Sequence, residues 1–311
     1  MENINNIYNV KSEKPKGVKV VSFSQFSMYK ECPLKWKLNY LDNLRISKPG
    51  LQLIYGDAIH ETIQEFLYKL FIDSAKSSNE MNLSDVFVDK LLSYYKKEFE
   101  SNQKHFAKPQ EIKEFISDGC NMLEWFKNHR GDYFNTRNQS LLGIETELLV
   151  PTVNPNVYFI AYLDLILEDT QNKKIHIYDL KTSNMGWKNE KKDEAKLSQL
   201  MLYKYFLALK FGIDPKNIDT TFFILKRKAW KPSEFIPLKY VQQFKPATGP
   251  RKMKKVIDEF NEFINNVFDK DGNYKKDLSY LAIAGDKEAH CKYCQFKYNE
   301  KLCPSEDRVH Y

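Results

Sequence analysis

A mixed α/β fold, α+β in character, with the core order helix, three strands, helix, strand is predicted by three features of the sequence. Residues 55–71 carry Ile59, Ile63, Phe66, Leu67 and Leu70 at helical spacing. Residues 141–150, 157–168 and 174–181 are rich in β-branched and aromatic residues, with breaks at 151–156 and 169–173. Residues 193–211 return to a helical pattern, and 220–226 read as a fourth strand.

The elements follow in order. Residues 1–20 mix Asn, Lys and Glu and read as a flexible polar arm ahead of a single domain, 21–311. Ser22 or Ser24 can cap a helix that runs through Phe26, Tyr29, Trp36, Leu38 and Tyr40. Pro33 inside that stretch predicts two short helices or a kink. Residues 72–140 read as a helical insertion, with helices over 86–99 and 109–128. The three strands in succession predict a meander. Asp193 suits the N-cap of the next helix and Gly212 its C-terminal stop. Residues 251–268 form another amphipathic helix, and 290–304 is a short, cysteine-bearing loop segment.

The 311 residues are 42% hydrophobic, with 21 Phe and 19 Tyr, which is enough to fill a sizeable core. A collagen, coiled-coil or disordered chain is excluded by this composition. The 48 basic against 41 acidic residues leave a formal +7 and a pI near 8.8. That excess fits a partner with a phosphate backbone, and equally an ordinary lysine-rich surface. No run of about 18 apolar residues predicts a membrane helix. Residues 1–19 lack the apolar centre of a signal peptide. The expected setting is a reducing cytoplasm, with no membrane contact. There the five cysteines are expected to be free thiols or metal ligands, and disulfides are not expected.

Asp179 and Lys181 are two apart on a strand, so they share a face. A carboxylate there can hold a divalent cation, and the lysine can orient or help deprotonate a water and offset phosphate charge. Asp164 ends the apolar run of the preceding strand and can lie beside Asp179. Two converging carboxylates repel unless a cation lies between them. Glu145, one strand earlier, can add an oxygen. His60 lies at the edge of the apolar stripe of helix 55–71, one turn after Gly56. Each signal alone has an ordinary explanation. Asp-x-Lys recurs by chance, a lone His is commonly structural, and Glu145 and Glu147 can both be solvated.

Taken together, Gly56-x3-His60, Glu145, Asp164, Asp179-x-Lys181 and Gln199-x3-Tyr203 resemble the PD-(D/E)xK nuclease superfamily. The resemblance is to its RecB-type branch, which includes recombination helicase-nucleases, CRISPR-associated RecB-type nucleases and phage exonucleases. It covers Ser22 to Cys303 and is weakest over 72–140. It implies a restriction-endonuclease-like αβββαβ core. It further implies that His60, Asp164, Asp179 and the Leu180 carbonyl are metal ligands and that Lys181 is the catalytic lysine. Gln199 and Tyr203 would support the site and contact DNA, with Glu145 in a less defined acidic role. Ala161 departs from the family, which often has glycine three residues before the strand aspartate. Oxygen-rich ligands suit Mg²⁺ or Mn²⁺.

Cys291-x2-Cys294-x8-Cys303 has ligand-like spacing and needs a fourth partner. Cys32 shares a Cys-Pro context with Cys303. In iron–sulfur members of the resembled branch, one cysteine before the nuclease core joins three after it to hold a 4Fe-4S cluster joining the two ends of the domain. The resemblance implies that arrangement here, although the last gap is longer than usual. A structural Zn²⁺ site and unligated thiols are the alternatives. His290 is a possible substitute ligand, and Cys120 reads as a buried free thiol.

Lys226-Arg227-Lys228 with Trp230 and Lys231, and the basic run Arg251 to Lys255, can track phosphates or stack on a base. Solvated charge explains them equally well. The resemblance implies a metal-dependent DNA exonuclease acting at ends, with single-stranded DNA in its channel. Its setting would be recombination, repair or phage DNA metabolism, in a host cytoplasm if phage-encoded. With no Walker A motif in the sequence, unwinding would come from a helicase or recombination partner. Two alternatives are a CRISPR-associated nuclease that processes spacers and a non-catalytic DNA-end-binding module.

Overall fold

Six strands form the central sheet of the computed structural model, which describes residues 13–45, 50–188, 194–229 and 237–310. β1 (Lys19–Val21) leads into α1 (Phe23–Glu31) and α2 (Pro33–Trp36). The helices α3 (Leu51–Tyr68), α4 (Ala75–Glu80), α5 (Leu83–Asn102) and α6 (Pro109–His129) follow. β2 (Gln139–Pro151), β3 (Val157–Asp169) and β4 (Lys174–Ser183) form the antiparallel meander. Then come α7 (Glu194–Phe211), β5 (Ile218–Lys226), β6 (Val241–Phe244) and α8 (Pro250–Val267). β5 lies parallel to β4 after the α7 crossover, and β6 closes that edge antiparallel. A separate two-stranded ribbon pairs β7 (Ala282–Ile283) with β8 (Arg308–Val309). The order helix, three strands, helix, strand is present, in a mixed sheet with helices on both faces. Among the described residues no helix is long and apolar enough to cross a membrane.

Local sequence explains the boundaries. Lys19 and Val20 belong to β1 and not to the polar arm. Pro33 occupies the first turn of α2, where its missing N–H costs nothing, and so divides the N-terminal helix in two. Asp193 lies outside the described residues. Gly212 does end α7, at φ +63°, a backbone conformation that favours glycine.

Two cores sandwich the sheet. Phe26 and Trp36 from the N-terminal helices, Leu200, Leu202, Phe206 and Leu207 of α7 and Phe260, Phe263 and Ile264 of α8 fill one face. Ile59, Ile63, Phe66 and Leu67 of α3, with Phe87, Leu91, Phe115, Met122 and Phe126, fill the other. The region 72–140 packs as a helical layer on this face, with α5 against α3 and α6 and Phe126 of α6 meeting Phe223 of β5.

The sheet forks where the site lies. β2 holds one edge of β3 along its length. The other edge is shared: β1 pairs with Val157–Phe159, and β4 pairs only with Leu165–Asp169. Residues 160–164 face the gap between them. β3 also changes face there. Ala161 and Leu163 pack with α7 and α8, whereas Leu165 and Leu167 pack with α3 and α6. Residues two apart on a regular strand would share one side. Asp164 is the pivot, and the residue opposite it in register, Glu145, has φ +47°. β2 is also irregular between Leu141 and Gly143.

His176 of β4 is a titratable group of the core, away from the site. Its ring stacks on Tyr178 at 4.1 Å and shares a 2.7 Å hydrogen bond with Thr221. Burial, and then the charge of Lys245, lower its pKa to about 4, against weaker opposing pulls from Asp219 and Asp169. The unfolded chain takes up a proton near pH 6.5 that the folded chain refuses until about 4. Stability from this group is thus complete above pH 6.5 and is lost as pH falls toward 4. Wild type is expected to lose about 2 kcal/mol relative to His176→Gln between pH 7 and pH 4.5. Paired chemical denaturation curves at the two pH values measure it, and a constant difference would contradict it.

Candidate active site

Asp164 and Asp179 are register mates, but the β3–β4 ladder stops one pair short of them, at Leu165 and Tyr178. The Asp164 carboxylate takes over the ladder's role: its Oδ2 accepts the Leu180 N–H at 2.6 Å. In an extended strand the carbonyl of a residue faces the same edge as its N–H, so the Leu180 carbonyl is directed at the same gap. The Leu180 side chain is buried in the α3 core.

Asp179 points to the opposite face, toward α7. Its side chain is only 4% exposed. Gln199 Nε2 donates to Asp179 Oδ1 at 3.1 Å and to the Tyr203 hydroxyl at 2.8 Å. The i, i+4 pair therefore acts together: Tyr203 holds the amide of Gln199, and Gln199 holds the carboxylate. Asp179 Oδ2 lies 2.6 Å from Lys181 Nζ as an ion pair, and makes no hydrogen bond of ordinary geometry. Lys181 leaves a third of its side chain open to solvent.

Electrostatics at the fork are unbalanced. Burial, and next the charge of Asp179, hold the Asp164 carboxyl well above the usual carboxylate range. Burial also raises Asp179, while Lys181 pulls it back. Burial works against the charge of Lys181, but Asp179 and Asp164 together outweigh it and its pKa rises. His60 is lowered to about 4 by burial and by Lys181, so its imidazole is neutral at neutral pH and keeps a lone pair. Glu145 adds a third carboxyl, whose charge raises both aspartates. Three carboxyls facing one ammonium suit an added cation. Among the described residues, no group of three or more His, Cys, Asp or Glu side chains is already arranged as a ready metal site.

α3 brings His60 to this place. A methyl group on Gly56, one turn before it, would lie 3.0 Å from Thr182 Oγ1, so the glycine permits close approach of α3 to the end of β4. One turn after His60 lies Gln64, which the sequence reading misses. It is a buried polar residue in an apolar stripe, and it donates to Glu145 Oε1 at 2.6 Å and to the Asp164 carbonyl at 3.2 Å. Its i+4 spacing from His60 was the available signal.

Cys32, Cys291, Cys294 and Cys303 line one small cavity of about 20 Å³, with His290 also on its wall. Cys32 Sγ accepts the N–H groups of Lys35 at 3.4 Å and Ile283 at 3.3 Å. Burial raises the Cys32 and Cys291 thiols. The two ends of the domain meet here, where Leu34 N–H also bonds Leu281 O at 3.0 Å. Cys120 is half-buried against the α3 core.

The basic run after β5 has a structural role. Arg227 is buried, 2.8 Å from Asp118 and 3.0 Å from the Asn184 side chain, and its guanidinium lies over the Phe115 ring at 4.0 Å. Lys228 pairs with Glu114 at 2.5 Å. The expectation that this run tracks phosphates is corrected for Arg227, which clamps α6 to the ends of β4 and β5. Arg227→Ala should cost about 3 kcal/mol, because Asp118 would be left part-buried without its cation. Urea denaturation measures this, and a loss below about 0.5 kcal/mol would show the clamp to be idle. Trp230 and Lys231 lie outside the described residues. Arg251 and Lys252 are exposed on the first turn of α8, and Lys254 pairs with Asp258 at 2.6 Å.

The family model of the PD-(D/E)XK nuclease superfamily matches residues 20–299. A solved structure described as "Crystal structure of SSO0001" aligns over 85% of this chain and 82% of that chain, at 10% identity and a TM-score of 0.31. No curated protein matches. The family match runs from β1 through the forked sheet to Cys291 and Cys294, and ends before Cys303. The chain belongs to the PD-(D/E)XK nuclease superfamily, nucleases that act on nucleic acid and generally use divalent metals such as Mg²⁺ or Mn²⁺.

Proposed function

We propose that this chain is a metal-dependent deoxyribonuclease of the RecB-type branch that degrades DNA from its ends. The observation that carries the site is the fork, where the carboxyl groups of Asp164 and Asp179 converge beside Lys181 with Glu145 close enough to raise both. His60, Asp164, Asp179 and the Leu180 carbonyl would hold Mg²⁺ or Mn²⁺. When bound, such a cation activates water and offsets charge on the phosphate and leaving oxygen. Lys181 Nζ, kept protonated by both aspartates, offers hydrogen bonds and positive charge to a phosphate oxygen. Gln199 and Tyr203 fix the Asp179 carboxylate, so it need not reorganise during the reaction. DNA is the substrate, with any strand separation supplied by a helicase or recombination partner.

End-labelled linear DNA and a closed circle of the same sequence, each with Mg²⁺ or Mn²⁺, test the proposal. Loss of the label from linear DNA with the circle intact is expected. Cutting both at equal rates would replace the exonuclease by an endonuclease.

The four cysteines are proposed as a second, structural metal centre that ties the two ends of the domain together. A shared cavity and two N–H groups aimed at Cys32 Sγ support this. The resemblance favours a 4Fe-4S cluster. A single structural Zn²⁺ held by the same four thiols is the alternative. Metal analysis of protein purified without air decides between them. A brown protein with iron identifies the cluster, and a colourless protein with one zinc identifies the alternative.

A further inference from the structure

We infer that Gln64 is a positioning residue that locks Glu145 and Asp164 into the geometry the cation needs. The inference rests on the metal-site reading above.

Gln64 is 5% exposed, yet it lies in the apolar stripe that faces the sheet. Its amide nitrogen meets two acceptors, Glu145 Oε1 at 2.6 Å and the Asp164 main-chain carbonyl at 3.2 Å. Neither acceptor can donate when Glu145 is ionised, so the amide orientation is dictated by chemistry. Both contacts fall on the two residues at which β2 and β3 change face. Glu145 has φ +47°, a conformation that a non-glycine residue keeps only when its surroundings impose it. Gln64 supplies such a constraint: one nitrogen holds the strained residue by its side chain and the pivot residue by its backbone. The Asp164 carboxylate can then reach the Leu180 N–H at 2.6 Å in the gap left by the ladder. Gln64 also lies one turn from His60, so the same helix face delivers a ligand and the group that aligns two carboxylates. Its role is exerted through Glu145 and Asp164.

The test is Mn²⁺ affinity by calorimetry, with turnover of linear DNA and thermal melting as companions. Gln64→Leu keeps the volume and removes the donor. It is expected to weaken Mn²⁺ binding about tenfold and to lower kcat by a similar factor, as loss of a residue that aligns metal ligands commonly does. Gln64→Glu sets two carboxylates against each other and should weaken binding further. Adding Glu145→Gln to Gln64→Glu restores a donor and an acceptor between residues 64 and 145 but leaves an oxygen against the Asp164 carbonyl, so it should recover part of that loss, about twofold or more. The Glu-to-double-variant comparison remains decisive even if Gln64→Leu fails to fold. Wild-type affinity in Gln64→Leu, or no recovery in the double variant, would overturn the role of Gln64. Asp179→Ala serves as the separate control: if it binds Mn²⁺ as wild type does, the metal-site reading itself fails.

Discussion

Asp179→Ala and Lys181→Ala are each expected to lower metal-dependent DNA cleavage by at least about 1,000-fold, with the fold intact. The two losses arise differently. Asp179 is a buried carboxylate held by Gln199 and aimed at the fork, so its removal takes away a principal ligand. Removing Asp179 relieves the burial of its carboxyl but leaves Lys181 and the Gln199 amide without their partner, so the melting temperature in EDTA is the baseline for each variant. Added Mn²⁺ should raise the melting temperature of wild type but not of Asp179→Ala, because a ligand stabilises only what it binds. Lys181→Ala should still be stabilised by metal, since the carboxylates remain, but it should not turn over. Initial rates on linear DNA, with melting curves in EDTA and in Mn²⁺, separate these outcomes. Activity within tenfold of wild type in either variant would remove that residue from the mechanism.

Trp36→Ala should be the most destabilising single core substitution considered, at about 4 kcal/mol. The indole has no exposure. It stacks on Tyr280 at 5.7 Å and on Tyr40 at 6.1 Å. It also meets Tyr29, Phe263 and Tyr274 edge-on, at 6.0, 6.0 and 5.4 Å. It therefore joins the N-terminal helices to α8 and to the segment that leads to the cysteines. Truncation removes the ring and leaves a cavity that rigid aromatic neighbours cannot collapse into. Trp36→Phe makes the argument specific. The indole N–H is buried without a hydrogen-bond partner, so losing it costs nothing and offsets part of the lost volume. Trp36→Phe should cost under about 1.5 kcal/mol. Equal losses in the two variants, measured by urea denaturation, would contradict this account of the packing.

Periodicity made most of the fold legible. The stripe Ile59, Ile63, Phe66 and Leu67 and the alternating strands reflect side-chain directions set by local backbone geometry. Asp179 and Lys181 were likewise readable, because residues two apart on a strand share a face whatever surrounds them. The partnership of Gln199 with Tyr203 followed from i, i+4 spacing. Gln64 was missed because a single polar residue in a helical stripe looks like a boundary position until its long-range acceptors are placed. The left-handed backbone at Glu145 was equally hidden, since nothing in Gly143-Ile144-Glu145-Thr146 encodes it locally. Arg227 was misread for a related reason: a Lys-Arg-Lys run looks solvated, and only tertiary structure brings Asp118 and Phe115 to it. Which surface the helices over 72–140 cover was not legible, because an amphipathic face does not name its partner.

A crystal of wild-type protein soaked in Mn²⁺ and measured for anomalous scattering tests the central claim most directly. The account predicts a strong manganese peak at the fork, bonded by Asp164, Asp179 and His60, with the Leu180 carbonyl in its shell. A well-occupied peak elsewhere, or an empty fork in crystals of protein that cleaves DNA with Mn²⁺, would contradict it.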